Sequence, residues 1–461
     1  MATAVQNVET YLENFAEFSK RAAGHNLPWM RKLRDEAFSR FCETGFPTTR
    51  DEDWRFTNIS AIARTKFSLP SAAPAVPAES DLKPWIQDGM VRLVFVDGRF
   101  LGELSSVGSL PSGVRISSLK EEITGNSSTL EQHFGRYLNF RRDPFSALNT
   151  AFAEDGAFVH VRHGISLEKP IHLLFVSTAR EAATMTHPRN LLLVERESEA
   201  TIIEEYVSLS DGPVLSNSAT ELIAEDGSNV SHYMLEREGT TAFNISTLRI
   251  QQGRSSNVAS HSLLLGGGLV RNNVHPVLAG EGAECLINGL FIGSGTQHLD
   301  NYMYVEHQKA HASSRQFYNG ILDDHAHGVF HGRIVVHKDA QKTDAKQTNR
   351  NLLLSDDAQI DTKPQLEIYA DDVKCTHGAT IGQIEENALF YLRSRGIDEA
   401  SARKLLLSAF ARECVERMHP GIARDYADRT IESHLVSIGQ RSFASQTGKE
   451  AESERVWEEV G

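Results

Sequence analysis

The sequence predicts a mainly β fold with α: a right-handed parallel β-helix core flanked by N-terminal and C-terminal helical domains. Three observations lead there. From Ala157 onward short β-rich pieces, FVHV, IHLLFV, NLLLVE, ATIIEEYV and CLINGLFIG, recur between clusters of Gly, Asn, Asp and Ser. No amphipathic helix of useful length interrupts them until about Glu385. Small-residue corners at Ala200, Ser228, Ser256 and Ala283 stand 28, 28 and 27 residues apart; Ala312 follows after 29, then Ala326, Ala340 and Ala358 after 14, 14 and 18. A unit near 14 or its double describes stacked coils, each turn adding strands to sheets that grow along one axis. A β-sandwich, with strands every 8 to 12 residues or so and no long-range register, stays as the rival because the repeat is degenerate. Finally, apolar stripes at helical spacing bound the repetitive stretch on both sides.

The first stripe is Val8, Tyr11, Leu12, Phe15 and Phe18, ending before Gly24. Pro28 opens a second helix with Leu33, Ala37, Phe38 and Phe41 inward and Gly45 as its stop. DEDWRFTN, Asp51 to Asn58, reads as a buried Trp54 flanked by solvated ions. Pro70 to Pro84, with four prolines, is a surface linker. Val91 to Val96 is a strand closed by the turn pair Asp97-Gly98, and helical sequence returns around Leu130 to Leu138. These segments make residues 1–150 an N-terminal, mainly helical region with a linker, and 151–383 the β-helix core.

A C-terminal helical domain, 384–440, follows. Glu386 to Arg395 carries Leu389, Phe390 and Leu392 and stops at Gly396. Asp398 fits the N-cap of a helix from Glu399 to Met418 with a stripe of Leu405, Leu406, Ala409 and Phe410. Ile422 to Ile438 adds Tyr426, Ile431 and Leu435. A solenoid end exposes unpaired strand edges, and helices on either side are expected to cover them. Residues 441–461, rich in Glu, Ser and Gln, read as a disordered tail.

At 461 residues the chain exceeds what one core usually supports. Its composition, 40% hydrophobic and 23% charged, is that of an ordinary soluble protein. A net charge of -14 without a basic run argues against nucleic acid. No segment approaches the roughly 20 apolar residues of a membrane span, so the expected location is the cytoplasm, with no membrane partner. Four scattered cysteines, Cys42, Cys285, Cys375 and Cys414, form no CxxC and fit reduced thiols.

No GxxxxGK[ST], GxSxG or HExxH appears, and Gly266-Gly267-Gly268 reads as a solenoid corner. Of the ten histidines from His261 to His377, His325 and His327 would share a strand face, with His331 close by; without ligand-spaced carboxylates or thiols, corner hydrogen bonds explain them better than metal. DDVKCTHGAT, Asp371 to Thr380, carries more. On an extended strand Val373, Cys375 and His377 point one way and Lys374 and Thr376 the other. A thiol and an imidazole then stand roughly 6.5 Å apart at their backbones. Two ligands do not complete a site where about four are needed. Either other groups, including another chain's, join them, or the pair is a packed Cys beside a hydrogen-bonded His.

The run Asp361 to Gly396, DTKPQLEIYADDVKCTHGATIGQIEENALFYLRSRG, resembles the C-terminal signature of SufD-type members of the SufB/SufD family of iron-sulfur cluster assembly proteins. The likeness continues into GIDEASARKLLLSAF, and EDWRFTN is similar to the family's N-terminal segment; it is weakest from Lys66 to Asn126 and in the tail. It implies a scaffold, not an enzyme, with a β-helix core, pairing with SufB and docking the ATPase SufC on the C-terminal helices. Arg393, Arg395, Gly396 and Ile397 are the docking candidates. It further implies an iron-sulfur cluster held transiently at the SufB-SufD interface, with Cys375 and His377 as this chain's contributions. The acidic EHEA-type segment of SufB-like sequences is absent. A flavin bound through the complex, and a homodimer in isolation, are left open. Two rival classes stand beside this one: a purely structural paralogue, and a free-standing β-helix enzyme that would need a carboxylate array, for which Asp323-Asp324 and Asp356-Asp357 look like corner turns.

Overall fold

Two ten-stranded sheets stack face to face in a computed structural model that describes residues 2–71, 76–179 and 182–436, with the side chains of 2–8 left aside. The expected tail, 441–461, lies outside the described residues. From Glu199 onward consecutive strands alternate between the sheets, so each coil there contributes one strand to a front sheet and one to a back sheet. In the front sheet Asn229, Asn257, Glu284, Ser313, Asp344 and Lys374 lie side by side in parallel register. In the back sheet Phe243, Leu269, His298, His327 and Gln359 do the same. A coil therefore spans from 26 residues, Phe243 to Leu269, to 32, His327 to Gln359. The spacing near 14 is one strand with its corner; the double is the full coil. The mainly β fold, a parallel β-helix with helices at both ends of the chain, is thus the one the sequence predicts.

The corners explain the repeat. Ser228, Ser256, Ala283 and Ala312 are buried just before front-sheet strands, where a larger side chain would press into the coil. The register moves the earlier corner from Ala200 to Ser198, since Ala200 already pairs with Val230 inside the strand. Two residues before six successive front strands the backbone is left-handed: Glu197, Gly227, Ser255, Gly282, His311 and Lys342, with φ between 52° and 69°. Only two of these six are glycine, so the conformation is imposed by the coil against a steric cost of about 1–2 kcal/mol per non-glycine residue. In the triple-glycine corner, by contrast, a Cβ on Gly266 would lie 2.4 Å from the Glu238 carbonyl oxygen.

The interior is apolar along most of its length, with Val230, Val258, Cys285, Ile287, Phe291, Tyr318 and Phe330 in one continuous core. Near its start Phe95, Phe175 and Tyr206 stack at 4.9 Å centroid spacing. This end is closed. Val91–Val96 turns back through Asp97 and Gly98, φ 47° and 76°, to pair antiparallel with Arg99–Phe100, as a primed turn requires. Val114–Ser118 likewise pairs antiparallel with Ala157–Val161. Asp155, buried, ties the closure together by accepting hydrogen bonds from the amides of Phe100 (2.9 Å), Gly156 (2.9 Å) and Lys120 (3.3 Å).

The helices cover the walls of the solenoid, not its far end. Ala2–Arg21, Pro28–Thr44 and Pro144–Phe152 bury Tyr11, Phe18, Phe41, Phe145 and Phe152 against Met185, Leu215 and Ile245 of the back sheet. Leu12, expected inward, is exposed. Trp54 is buried as expected, beneath the Arg271 guanidinium at 3.9 Å. Glu399–Val415 and helix 422–436 pack Phe410, Cys414, Tyr426 and Ile431 onto Tyr233, Leu263, Leu290 and Ile321 of the front sheet. Asn288 and Asn319 add side-chain hydrogen bonds to the carbonyls of Cys414 (2.8 Å) and Phe410 (2.9 Å). The inward face of Glu399–Val415 is Ala402, Phe410, Ala411 and Cys414, so Leu405 and Ala409, expected in the stripe, face outward. Glu386–Ser394 buries no residue, and its Phe390 is 74% exposed. The expected helical cover for the strand edges is therefore absent from the last coil among the described residues. No helix among them is long and apolar enough to cross a membrane.

Candidate functional site: the open last coil

Gln359–Ile368 and Lys374–Gly382 are the terminal strands of the back and front sheets, and among the described residues both edges are unpaired on the same side. Their side chains range from half-buried to exposed, unlike every coil before them. Residues that would form a core inside a longer solenoid here face the opening: Leu366, half-buried, and Ile381, 52% exposed.

Cys375 and His377 belong to this set. Parallel pairing places Cys375 over Ala345 and His377 over Gln347, and both of those partners are buried inside the coil. The CxH motif thus projects along the inner face of the solenoid at its open end. The two side chains differ in surroundings. Cys375 is partly buried against the core, and burial pushes its thiol pKa up, helped by the Asp344 charge and opposed by a backbone hydrogen bond from Ala345. A thiol in that setting stays protonated and waits for a metal or a base to draw off its proton. His377 is exposed. Among the described residues no group of three or more His, Cys, Asp or Glu side chains could hold a metal ion. A thiol and an imidazole are donors of the kind that soft metal ions take, and no third such donor is grouped with them among the described residues.

Arg393, Arg395, Gly396 and Ile397 come together where Glu386–Ser394 ends, Arg393 in its last turn and the others just beyond. Gly396 takes φ 84°, Ile397 donates to the Leu392 carbonyl (3.3 Å), and Arg393 pairs with Glu399 (3.2 Å). Arg395 lies over the exposed Tyr391 ring at 5.2 Å. The turn leads directly into Glu399–Val415, which is packed on the front wall, and the Arg393–Glu399 pair ties the two together.

The histidines resolve differently from expectation. His325 sits in a turn, so it does not share a strand face with His327. His327 pairs with Asp361 (2.8 Å) and His325 lies near Asp357 (3.7 Å), carboxylate partners that are distant in sequence and adjacent only through the coil. His331 meets the Tyr302 ring edge-on at 4.9 Å. The DEDWRFTN segment also engages this wall: Glu52 pairs with Lys363 (2.9 Å), and Thr57 donates to Asp300 (2.5 Å). A polar recess of about 390 Å³, lined by His133, His160, Arg162, Glu195 and Glu225, belongs to the first coils and has no part in the open end.

Two buried polar atoms near the site escaped sequence reading. Gln347 Oε1 and Thr362 Oγ1, both on inward positions, have no hydrogen-bond partner. Glutamine and threonine in a strand carry no motif, so only register could find them.

Comparison with known proteins agrees with this architecture. Residues 175–410 match the model of the SUF system FeS cluster assembly, SufBD core domain, and residues 5–173 that of the SufBD protein N-terminal region. An iron-sulfur cluster assembly SufBD family protein of Synechocystis is 36% identical over 81% of this chain and 84% of its own length. The iron-sulfur cluster assembly protein SufD of Escherichia coli is 33% identical over 86% and 90%, and that of Bacillus subtilis 24% identical over 91% and 95%. A parallel β-helix with wall-mounted helices, matched along nearly its whole length in both family regions, places this chain in the SufBD family of iron-sulfur cluster assembly proteins, with SufD-like relatives.

Proposed function

We propose that this chain is the SufD-type half of a scaffold on which an iron-sulfur cluster is built. Its open coil meets the corresponding end of a SufB-type solenoid, and an ATPase of the SufC type docks on the C-terminal helices around Arg393 to Ile397. The observation that carries the reading is the coincidence of two unpaired sheet edges with a thiol and an imidazole facing the same opening. Edge strands of this length are normally blocked or covered. Covering them with a second solenoid would remove water from Cys375 and His377 and supply the ligands that no described residue brings to them. An ATPase gripping the front-wall helices would move that wall as a unit and shift the junction. The cluster is cargo, assembled and passed on.

The test is co-purification with SufB-type and SufC-type partners, followed by iron and sulfide analysis. Cys375→Ser and His377→Ala are expected to leave the complex intact and to lower cluster content at least about tenfold. Unchanged cluster content with His377→Ala would remove the assigned role. A specific observation favours one rival: Cys375 packs against the core with its thiol pKa raised, as a structural cysteine would. Under that rival, Cys375→Ser costs complex formation and spares assembly in whatever complex remains.

A further inference from the structure

A buried amide column ends beneath His377. In front-sheet register Gln316, Gln347 and His377 occupy one inward column on three successive coils. Gln347 Nε2 donates to Gln316 Oε1 at 3.2 Å, and both glutamines are buried. That bond leaves Gln347 Oε1, and Gln316 Nε2 one coil further in, with no partner, although both are sealed from solvent; only Gln347 adjoins the open coil. A sealed, unused carbonyl oxygen costs about 1–3 kcal/mol, so its retention asks for a use. The coil also makes special room for this amide. Gly332 lies on the facing strand, and a Cβ there would fall 1.4 Å from Gln347 Nε2. The residue next to Gly332 on the last coil is Pro364, which has no N–H to offer. The next column member above Gln347 is an imidazole, whose ring nitrogens can donate, and the His377 ring has no hydrogen-bond partner among the described residues.

We propose that Gln347 is a positioning residue for His377: its side-chain carbonyl accepts one imidazole N–H when the ring folds over the coil interior, fixing the tautomer and aiming the other nitrogen out of the opening. Imidazoles that ligate metals are ordinarily held this way through the nitrogen they do not use. The inference rests on the assignment of His377 made above, and its test is separate from that assignment.

The test uses the full, metal-free chain with ring-¹⁵N-labelled histidine, the His377 signals being identified by their loss in His377→Gln. Above the titration range of histidine, ring shifts report which nitrogen carries the proton. Gln347→Leu is expected to move the His377 tautomer ratio about fivefold toward that of a free imidazole, while Gln347→Glu, which keeps an acceptor, holds the wild-type ratio. Gly332→Ala, which displaces the Gln347 amide without touching His377, should reproduce the Gln347→Leu shift and serves if Gln347→Leu does not fold. Identical His377 ring shifts in wild type and in the folded Gln347→Leu or Gly332→Ala chain would overturn the proposal. A cluster assay in which His377→Ala is neutral would instead overturn the function assigned to His377 and leave the tautomer result standing.

Discussion

The two ends of the solenoid solve the same problem in opposite ways. At the first end, strands from the N-terminal region turn back antiparallel, Asp155 pins the turn, and Phe95, Phe175 and Tyr206 fill the coil. At the last end no described residue turns back: Leu366 and Ile381 stand where a core would be, and Cys375 and His377 stand among them. Both ends are made from the same kind of coil. What differs is whether the described residues supply a lid, and the end without one is the end where Cys375 and His377 stand.

Matched truncations sharpen the comparison most. Phe175→Ala removes a ring from the closed end and should cost about 3–5 kcal/mol, read as a lower urea midpoint. Leu366→Ala, an inward residue of the open coil that is only half-buried, should cost about 1 kcal/mol in the chain alone. Equal losses would mean that the last coil is as well packed as the first. A larger loss at Leu366 in a complex with a SufB-type partner would show the end being covered.

A second prediction concerns pH at the closed end. Burial pushes the Asp155 carboxyl up to about 6, against the three amides that favour its charge. The folded pKa stands above the unfolded value of about 3.9, so the folded chain holds this proton more tightly. The stability it contributes is complete below about pH 4 and is lost as pH rises through about 6. Wild type should lose about 2–3 kcal/mol over that window relative to Asp155→Asn. Parallel pH profiles for the two proteins would refute the assignment.

The coils between the ends provide the reference for a smaller effect. Ser255 sits left-handed at φ 52°, so Ser255→Gly should raise stability by about 0.5–1 kcal/mol in urea titration. No change would mean that the corner hydrogen bonds already offset the strain. Smallest in stability, within about 0.5 kcal/mol, is Ile381→Lys on the open edge. A charge there should nonetheless abolish co-elution with a SufB-type partner on gel filtration. Retained co-elution would place the junction elsewhere.

Much of this is legible in the amino-acid sequence. The corners at Ser228, Ser256 and Ala283 are visible because small buried residues recur at the coil length, and DDVKCTHGAT is visible because strand alternation puts Cys375 and His377 on one face. Other features were hidden for physical reasons. The left-handed corner is filled by Glu, Gly, Ser, Gly, His and Lys in turn, a conformation imposed by the coil and carrying no residue signature. Leu405 and Phe390 read as core because helical periodicity does not say which face meets a wall. The partners of His327 and Gln347 lie 29 to 34 residues away in sequence on neighbouring coils, where only register brings them together. The helices were expected over the strand edges because such edges demand cover; the sheets' apolar outer faces claimed them first.

That placement has a mechanical consequence. The C-terminal helices lie along the side of a rod, and the unfinished coil faces along its axis. A body clasping the side and a body abutting the tip occupy perpendicular surfaces, so neither excludes the other.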